Sequence, residues 1–421
     1  MLVRERISRR RFIRGASATV AALTAGGRAI AAPSGRIDHV VLVMMENRSF
    51  DHALGWLPGA NGKQAGLTYY DSAGVPHHTY PLAPDYQGCA HPDPDHSYAG
   101  GRAEYDNGAC DGWLRAGSND EYAIGYYGRS DLPFLAGAAP NWTACDQYFA
   151  AIMAETYPNR IYQHAAQTDR IDNSTQLSTL PTIWDRLAAA GLTGRYYFSD
   201  VPFLALWGAK YIPISRPVSS FLADCAAGTL PNVAFLDPRF VDEDSGTSGD
   251  DHPHADVRNG EAFMNLVYEA VISSPNWPNT VLLFNYDEWG GFFDHVAPSA
   301  APIPPADASA GNADGLRGFR TPCLMISPWA RRNYVSSTVY DHTSILKLIE
   351  WRWGLAPLTV RDRTANNPAA ELDFSRPANL SSRRFDVPPG PFGAPCPAGS
   401  VAVSQSWTDL LGLARGYGWP V

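Results

Sequence analysis

The stretch VVLVMMENRSFDHALG, residues 40–55, decides the fold. Its apolar run is unbroken until Glu46 and Asn47, and Arg48, Asp51 and His52 follow closely. A run of this kind, without alternation, predicts a strand buried on both faces, as in a parallel sheet covered by helices. TVLLFNYDEWGGFFDHV (280–296) repeats the pattern: an apolar strand, then Asp287 and Glu288, two glycines, then Asp294 and His295. Further strand-like runs lie at 38–45, 195–199, 232–237 and 323–328, and helical segments at 181–190, 260–274 and 343–353. The last helix is expected to open after Asp341 and His342 and to stop at Gly354. This alternation predicts an α/β fold with a mainly parallel central sheet flanked by helices. Residues 56–130 are rich in Gly, Pro, Asp and Tyr without a period, and read as long loops capping the carboxyl edge of the sheet. A Pro-rich excursion covers about 355–400.

Ligands of open parallel sheets bind outside the carboxyl ends of the strands. Two strands that end in acidic residues bring Glu46, Asn47, Asp287 and Glu288 to one edge. The like charges of Glu46, Asp287 and Glu288 repel, and a hard divalent cation, held by carboxylate and amide oxygens, relieves that repulsion. The competing reading makes each acidic pair the cap of a helix start. In AETYPNRIYQHAAQ (154–167), Pro158 suits a first helical turn and puts Thr156 at a helix N-terminus. There Thr156 either caps the helix or serves as a hydroxyl nucleophile beside a metal, with Arg160 available to an anion. Histidines cluster at His91 and His96, at His252 and His254, at His295 and at His342. Each is either a loop or cap residue or a phosphoryl contact able to move a proton near neutral pH. VDEDSGTSGDDHPHAD (241–256) also reads as a surface calcium loop, although it lacks EF-hand spacing.

The N-terminus, SRRRFIRGASATVAALTAGGRAIAA (8–32), fits a twin-arginine export signal with Ala29-Ile30-Ala31 as the cleavage site. Its apolar part is short and rich in Gly and Thr for a membrane span. We therefore expect residues 1–31 to be a removed leader and 32–421 to be one catalytic domain. Losing seven Arg and one Glu takes the formal charge from −9 to −15. That balance excludes electrostatic nucleic-acid binding and polybasic attraction to anionic lipid. None of the six cysteines forms a CxxC pair. Cys89 and Cys110, flanking one polar loop, are the expected disulfide, and Cys323 is expected as a buried thiol in a strand.

The motifs HVVLVMMENRSFDHALG, DPDHSY, ETYPNR, DDHPHAD, YDEWGGFFDHV, GLRGFRTPCLMISPWA and YDHTSILKLIEWRWG, in this order, resemble those of the bacterial phosphoesterase family. That family includes non-specific phospholipases C and related acid phosphatases, and the likeness runs from about residue 37 to 375. It implies an alkaline-phosphatase-like α/β fold and metal-assisted attack by a hydroxyl. Carried over, it makes Glu46, Asn47, Asp287 and Glu288 ligands of a divalent metal ion, calcium or zinc. Thr156 becomes the nucleophile of a phospho-enzyme, and His96 and His252 serve the phosphoryl or leaving group. His295 is a further catalytic candidate, Asn47, Arg160 and His342 are substrate contacts, and Asp294 orients a neighbouring histidine. The implied substrate is a phospholipid or small phosphoester, met during transient contact with a membrane surface by a protein exported through the twin-arginine machinery to the periplasm, cell surface or medium. Two departures from the family pattern stand out: Ala53-Leu54 where an aromatic pair is usual, and Ala154-Glu155 before the nucleophile. Glu155 there disfavours a highly anionic monoester and points to diesters. Monoester hydrolysis and metal-dependent binding without catalysis are the alternatives.

Overall fold

The computed structural model describes residues 36–397, apart from 242, 244 and 245, together with residues 406–421. The expected leader, 1–31, lies outside the described residues. The central sheet has eight strands: β1 (His39–Met45), β2 (Thr143–Cys145), β3 (Gly194–Phe198), β4 (Ser215–Pro217), β5 (Val233–Asp237), β6 (Thr280–Tyr286), β7 (Cys323–Ile326) and β8 (Tyr334–Ser336). Their spatial order is β8-β2-β7-β6-β1-β5-β3-β4. β7 runs antiparallel to both its neighbours, and the remaining pairs are parallel. The VVLVMM run is fully buried and lies at the centre of the sheet, between β6 and β5.

The main helices are α1 (Pro133–Asn141), α2 (Thr156–Ala165), α3 (Ile183–Ala189), α4 (Val218–Ala227), α5 (Val257–Ser273), α6 (His342–Trp353) and α7 (Ser406–Gly416). Alternate strand residues point to opposite faces of a sheet. Val41, Val43, Met45, Leu282, Phe284 and Tyr286 join one core with Phe134, Phe221, Met264 and Val267 of α1, α4 and α5. The opposite face carries α2 and α6: Asn285 of β6 donates to Tyr148 Oη at 2.9 Å and lies within reach of His342. Helices thus cover both faces, as the uninterrupted hydrophobicity of the strands requires. α6 starts and stops as expected: Asp341 Oδ1 accepts from Thr343 N, and Gly354 closes the helix at φ +65°.

The excursion after residue 375 runs back across α1 and α5. Phe385 stacks on Tyr268 with ring centres 5.2 Å apart, and Arg383 O accepts from Tyr268 Oη at 2.7 Å. Its end meets the turn at 85–89, where Gln87 exchanges hydrogen bonds with Ala394 and Cys89 is bonded to Cys396. This corrects the expected Cys89–Cys110 pair. Cys110 is instead a buried free thiol in the cluster with Trp113 and Phe293. Cys323 is the buried strand thiol expected.

Candidate active site

β1 and β6 pair with Met45 opposite Tyr286, so Glu46 and Asp287 leave the sheet side by side. Asp287 N donates to Met45 O at 3.0 Å, and Glu46 N to Asp250 O at 2.8 Å. Asn47 turns the chain at φ +56°, a left-handed conformation that Asn accepts more readily than most side chains. Its N–H donates to Asp287 Oδ1 at 3.3 Å. Gly290, at φ +65°, lies so close that a Cβ there would sit 2.2 Å from the Asn47 carbonyl oxygen. The first glycine of DEWGG is therefore what lets the two strand ends converge. The helix-cap reading does not apply to Glu46 and Asn47, because the next helix, Phe50–Leu54, is capped by Ser49. On the far side of β1, β5 contributes Asp237 at its own carboxyl end.

Arg160 binds these ends together. Its Nε donates to Glu46 Oε1 at 3.1 Å and to Asp287 Oδ2 at 3.0 Å, and its Nη1 to Asp237 Oδ1 at 2.7 Å. Nη2 reaches the Met44 and Met45 carbonyls, and Phe240 and Trp407 lie over the guanidinium plane. Arg160 thus balances the charge of the three strand ends. Asn159 pins the preceding loop, accepting from Ile152 N and donating to the carbonyls of Ile152, Ala154 and Glu155. The N-cap of α2 is Glu155, and Thr156 is its first residue. Thr156 and Arg160, four residues apart, share one face of α2.

Arg160 leaves part of the cluster unsatisfied. Glu46 Oε2, Asn47 Oδ1 and Glu288 Oε1 are buried acceptors with no hydrogen-bond partner among the described residues. Such oxygens on adjacent strand ends are the donor set of a hard divalent cation, and the residues present fit one. Burial raises the Glu46 and Asp287 carboxyls, with Arg160 opposing. Burial also pushes Glu288 up to about 8, His96 opposing and Asp287 adding. Further acidic and histidine groups able to hold a metal adjoin this set: Glu46, Glu243 and His252 cluster, as do Asp93, His96 and His252.

The structure brings His96 and His252 together, their ring centres 6.0 Å apart and their planes nearly perpendicular. His96 Nδ1 donates to Pro94 O at 2.8 Å, and its Nε2 lies 3.4 Å from Asn47 Nδ2. His252 Nδ1 contacts the Pro253 carbonyl and lies 3.4 Å from Glu243 Oε2, while its Nε2 is 3.7 Å from Asp93 Oδ2. Burial by itself would lower His96, but Glu288 and Asp93 outweigh it and hold the ring up to about 10. Burial drives His252 well below the ordinary range, with His96 adding to the effect. A cavity of about 300 Å³ opens beside them, lined by Asp93, Asp95, His96, Ser97, Ser118 and Glu155 among others. Glu155 lines this cavity while its Oε2 accepts from Asn173 N at 2.6 Å.

The other candidates are held by different contacts. His342 is fully buried, with Nδ1 against Tyr148 Oη (2.9 Å) and Nε2 against Asp287 O (2.7 Å). It therefore buttresses the Asp287 backbone. His295 belongs to a separate network, Nδ1 2.5 Å from Asp51 Oδ2 and Nε2 3.1 Å from Asn61 Oδ1. Arg320 occupies the centre of that network, donating to Asp294 Oδ1 at 2.9 Å and to Asp51 Oδ1 at 3.0 Å. Asp51, rather than Asp294, thus orients His295. The described part of the 241–256 loop is not a surface calcium loop. Asp250, Asp251, His252 and His254 are buried, and Arg48 Nε and Tyr286 Oη bind Asp251. Asp237, Asp93 and Glu243 were not singled out from the sequence. Of these only Asp237 had a signal, since NVAFLD also ends a strand in a carboxylate.

Residues 37–356 match the Phosphoesterase family. The chain belongs to that family. This phosphoesterase is 32% identical to Phospholipase C A of Mycobacterium tuberculosis (strain CDC 1551 / Oshkosh), over 84% of this chain and 80% of the relative. It is 31% identical to Non-specific phospholipase C6 of Arabidopsis thaliana, over 90% and 80%. It is 30% identical to Non-hemolytic phospholipase C of Pseudomonas aeruginosa, over 88% and 64%. Similar solved structures include the lipoteichoic acid synthase LtaP from Listeria monocytogenes (TM-score 0.42, 10% identity, 92% of this chain and 91% of that one). Another is a protein in the alkaline phosphatase superfamily from Vibrio parahaemolyticus (TM-score 0.37, 10% identity, 82% and 72%). Membership makes the chain a hydrolase acting on ester bonds.

Proposed function

We propose that this phosphoesterase is an exported, metal-dependent hydrolase of the phospholipase C type, cleaving phospholipid phosphodiesters through a phosphorylated Thr156. The observation that carries the reading is the set of buried, unpartnered oxygens on Glu46, Asn47 and Glu288, beside the helix that presents Thr156. A divalent ion held by Glu46, Asn47, Asp287 and Glu288 would withdraw charge from the phosphoryl group. Thr156 Oγ attacks phosphorus, and the alcohol oxygen departs as a histidine hands it a proton. The opposite displacements of His96 and His252 suit one cationic and one neutral partner at the same centre, which is how acid and base roles are divided. Water then releases the phosphorylated head group from Thr156. The Glu155 carboxylate on the cavity wall disfavours a dianionic monoester, which supports a diester substrate.

Contact with the lipid surface is transient in this reading, and no described helix is long and apolar enough to cross a membrane. The Arg9-Arg10 pair of the expected leader supports the export part of this reading, with the periplasm, cell surface or medium as destination. The test compares a phosphocholine diester with an aryl phosphate monoester, with and without chelator. Diester turnover abolished by chelator and restored by a divalent cation is expected. Preference for the monoester, or turnover indifferent to chelator, contradicts the reading.

A further inference from the structure

The two active-site histidines have a feature that phosphoryl contact does not require. Each has its Nδ1 directed at a carbonyl oxygen of its own loop, Pro94 for His96 and Pro253 for His252. In its neutral form a histidine that donates Nδ1–H in this way keeps a lone pair on Nε2, the arrangement of metal-ligating imidazoles whose outer nitrogen is fixed by a backbone carbonyl. Asp93 completes a triad with them: the three ligand atoms lie within 4.8 Å of one another, and Asp93 Oδ1 is buried without a hydrogen-bond partner among the described residues. Glu243 lies behind His252, 3.4 Å from Nδ1, as an outer carboxylate. Drawing the triad in to zinc's bond lengths of ~2.0–2.2 Å moves each group by less than about 1 Å.

We propose that Asp93, His96 and His252 form a second cation site, selective for a zinc-class divalent transition ion, and that filling it inhibits the enzyme. Two nitrogens and one carboxylate favour zinc or cobalt over calcium or magnesium, whereas the oxygen set of Glu46, Asn47, Asp287 and Glu288 favours the hard ions. The Asp93 carboxylate, 3.7 Å from His252 Nε2, adds negative charge that attracts a doubly charged ion. Inhibition follows because the coordinated Nε2 atoms are no longer free to meet the phosphoryl oxygen or to protonate the departing alcohol. The inhibitory half rests on the function proposed above, and the binding half does not.

The test uses the full chain, stripped of metal by dialysis against a chelator and titrated with cobalt(II). Imidazole ligands in a four- or five-coordinate shell intensify and shift cobalt's visible bands. Such a spectrum is expected, and a tenfold excess of calcium or magnesium should leave it in place. Asp93→Asn and His252→Asn should each weaken cobalt and zinc binding at least tenfold, counted as metal retained after desalting. Asp93→Asn preserves shape at a half-buried position, so it decides the matter if the histidine variant fails to fold. A spectrum without nitrogen ligation, one displaced by the hard ions, or one unchanged in Asp93→Asn overturns the site. Zinc at the occupancy that fills it should slow diester hydrolysis at least tenfold, reversed by chelation and readdition of the hard ion. Full turnover with zinc bound overturns the inhibition. Cobalt binding in a protein with no diesterase activity at all supports the site and refutes the proposed function alone.

Discussion

His164, one turn beyond Arg160 on α2, is buried among Phe235, Phe203 and Trp184, and neither of its ring nitrogens has a hydrogen-bond partner among the described residues. Burial, with Arg160 adding, lowers it to about 3. A depressed folded-state value means that the neutral ring stabilises the fold above about pH 6.5, and that this stability drains away as pH falls toward 3. Between pH 7.5 and 5 the loss from this group is about 2 kcal/mol. Urea unfolding at the two pH values should show it, and His164→Phe should remove most of the difference. Arg160→Met should cost about 3–5 kcal/mol, because it leaves buried carboxylates unbalanced. Since burial already raises Glu46, Asp287 and Asp237, the cost should be smaller at pH 5 than at pH 7.5, where these carboxyls must ionise. The role of Arg160 was not legible in the sequence. An arginine four residues after a helix-starting threonine reads as an anion contact, and only the tertiary approach of β1, β5 and β6 turns it inward. Glu46, Asn47, Asp287 and Glu288 were legible as neighbours because residues that end adjacent buried strands must emerge together.

Each strand with a long apolar run was located from its pattern alone, and α6 was bounded by its own cap and glycine. The reversal of β7 was not, since direction leaves no mark in a short buried run such as CLMIS. Pairing of Cys89 with Cys396 was equally hidden, because it depends on where the chain returns after 307 residues. That closing segment lies on α1 and α5 through Phe385 and is fastened at its end to the turn that leads into the His91–His96 loop. Cys396→Ser should therefore lower stability by about 2–5 kcal/mol. It should also raise proteolysis within 376–397 before the sheet unfolds. Equal cleavage rates in the variant and the wild type would show that the segment is held by packing alone.

The fold brings loops separated by most of the chain to one sheet edge: residues 46–47, 93–96, 155–160, 237, 243, 250–252 and 287–288. Strand ends, a helix start and two histidine loops meet there, and family membership gives their meeting a chemistry. Removing divalent ions should cut diester turnover at least a hundredfold while leaving the protein folded, since Arg160 already holds the three strand ends together; circular dichroism and turnover measured on one sample check both halves. The claim on which the account depends most is that Thr156 bonds to phosphorus. The direct measurement is rapid acid quench of turnover on a diester carrying radioactive phosphorus, followed by peptide mapping. Label is expected on the peptide containing Thr156, appearing before product accumulates and absent in Thr156→Ala. Label on another residue, or full turnover by Thr156→Ala, would contradict it.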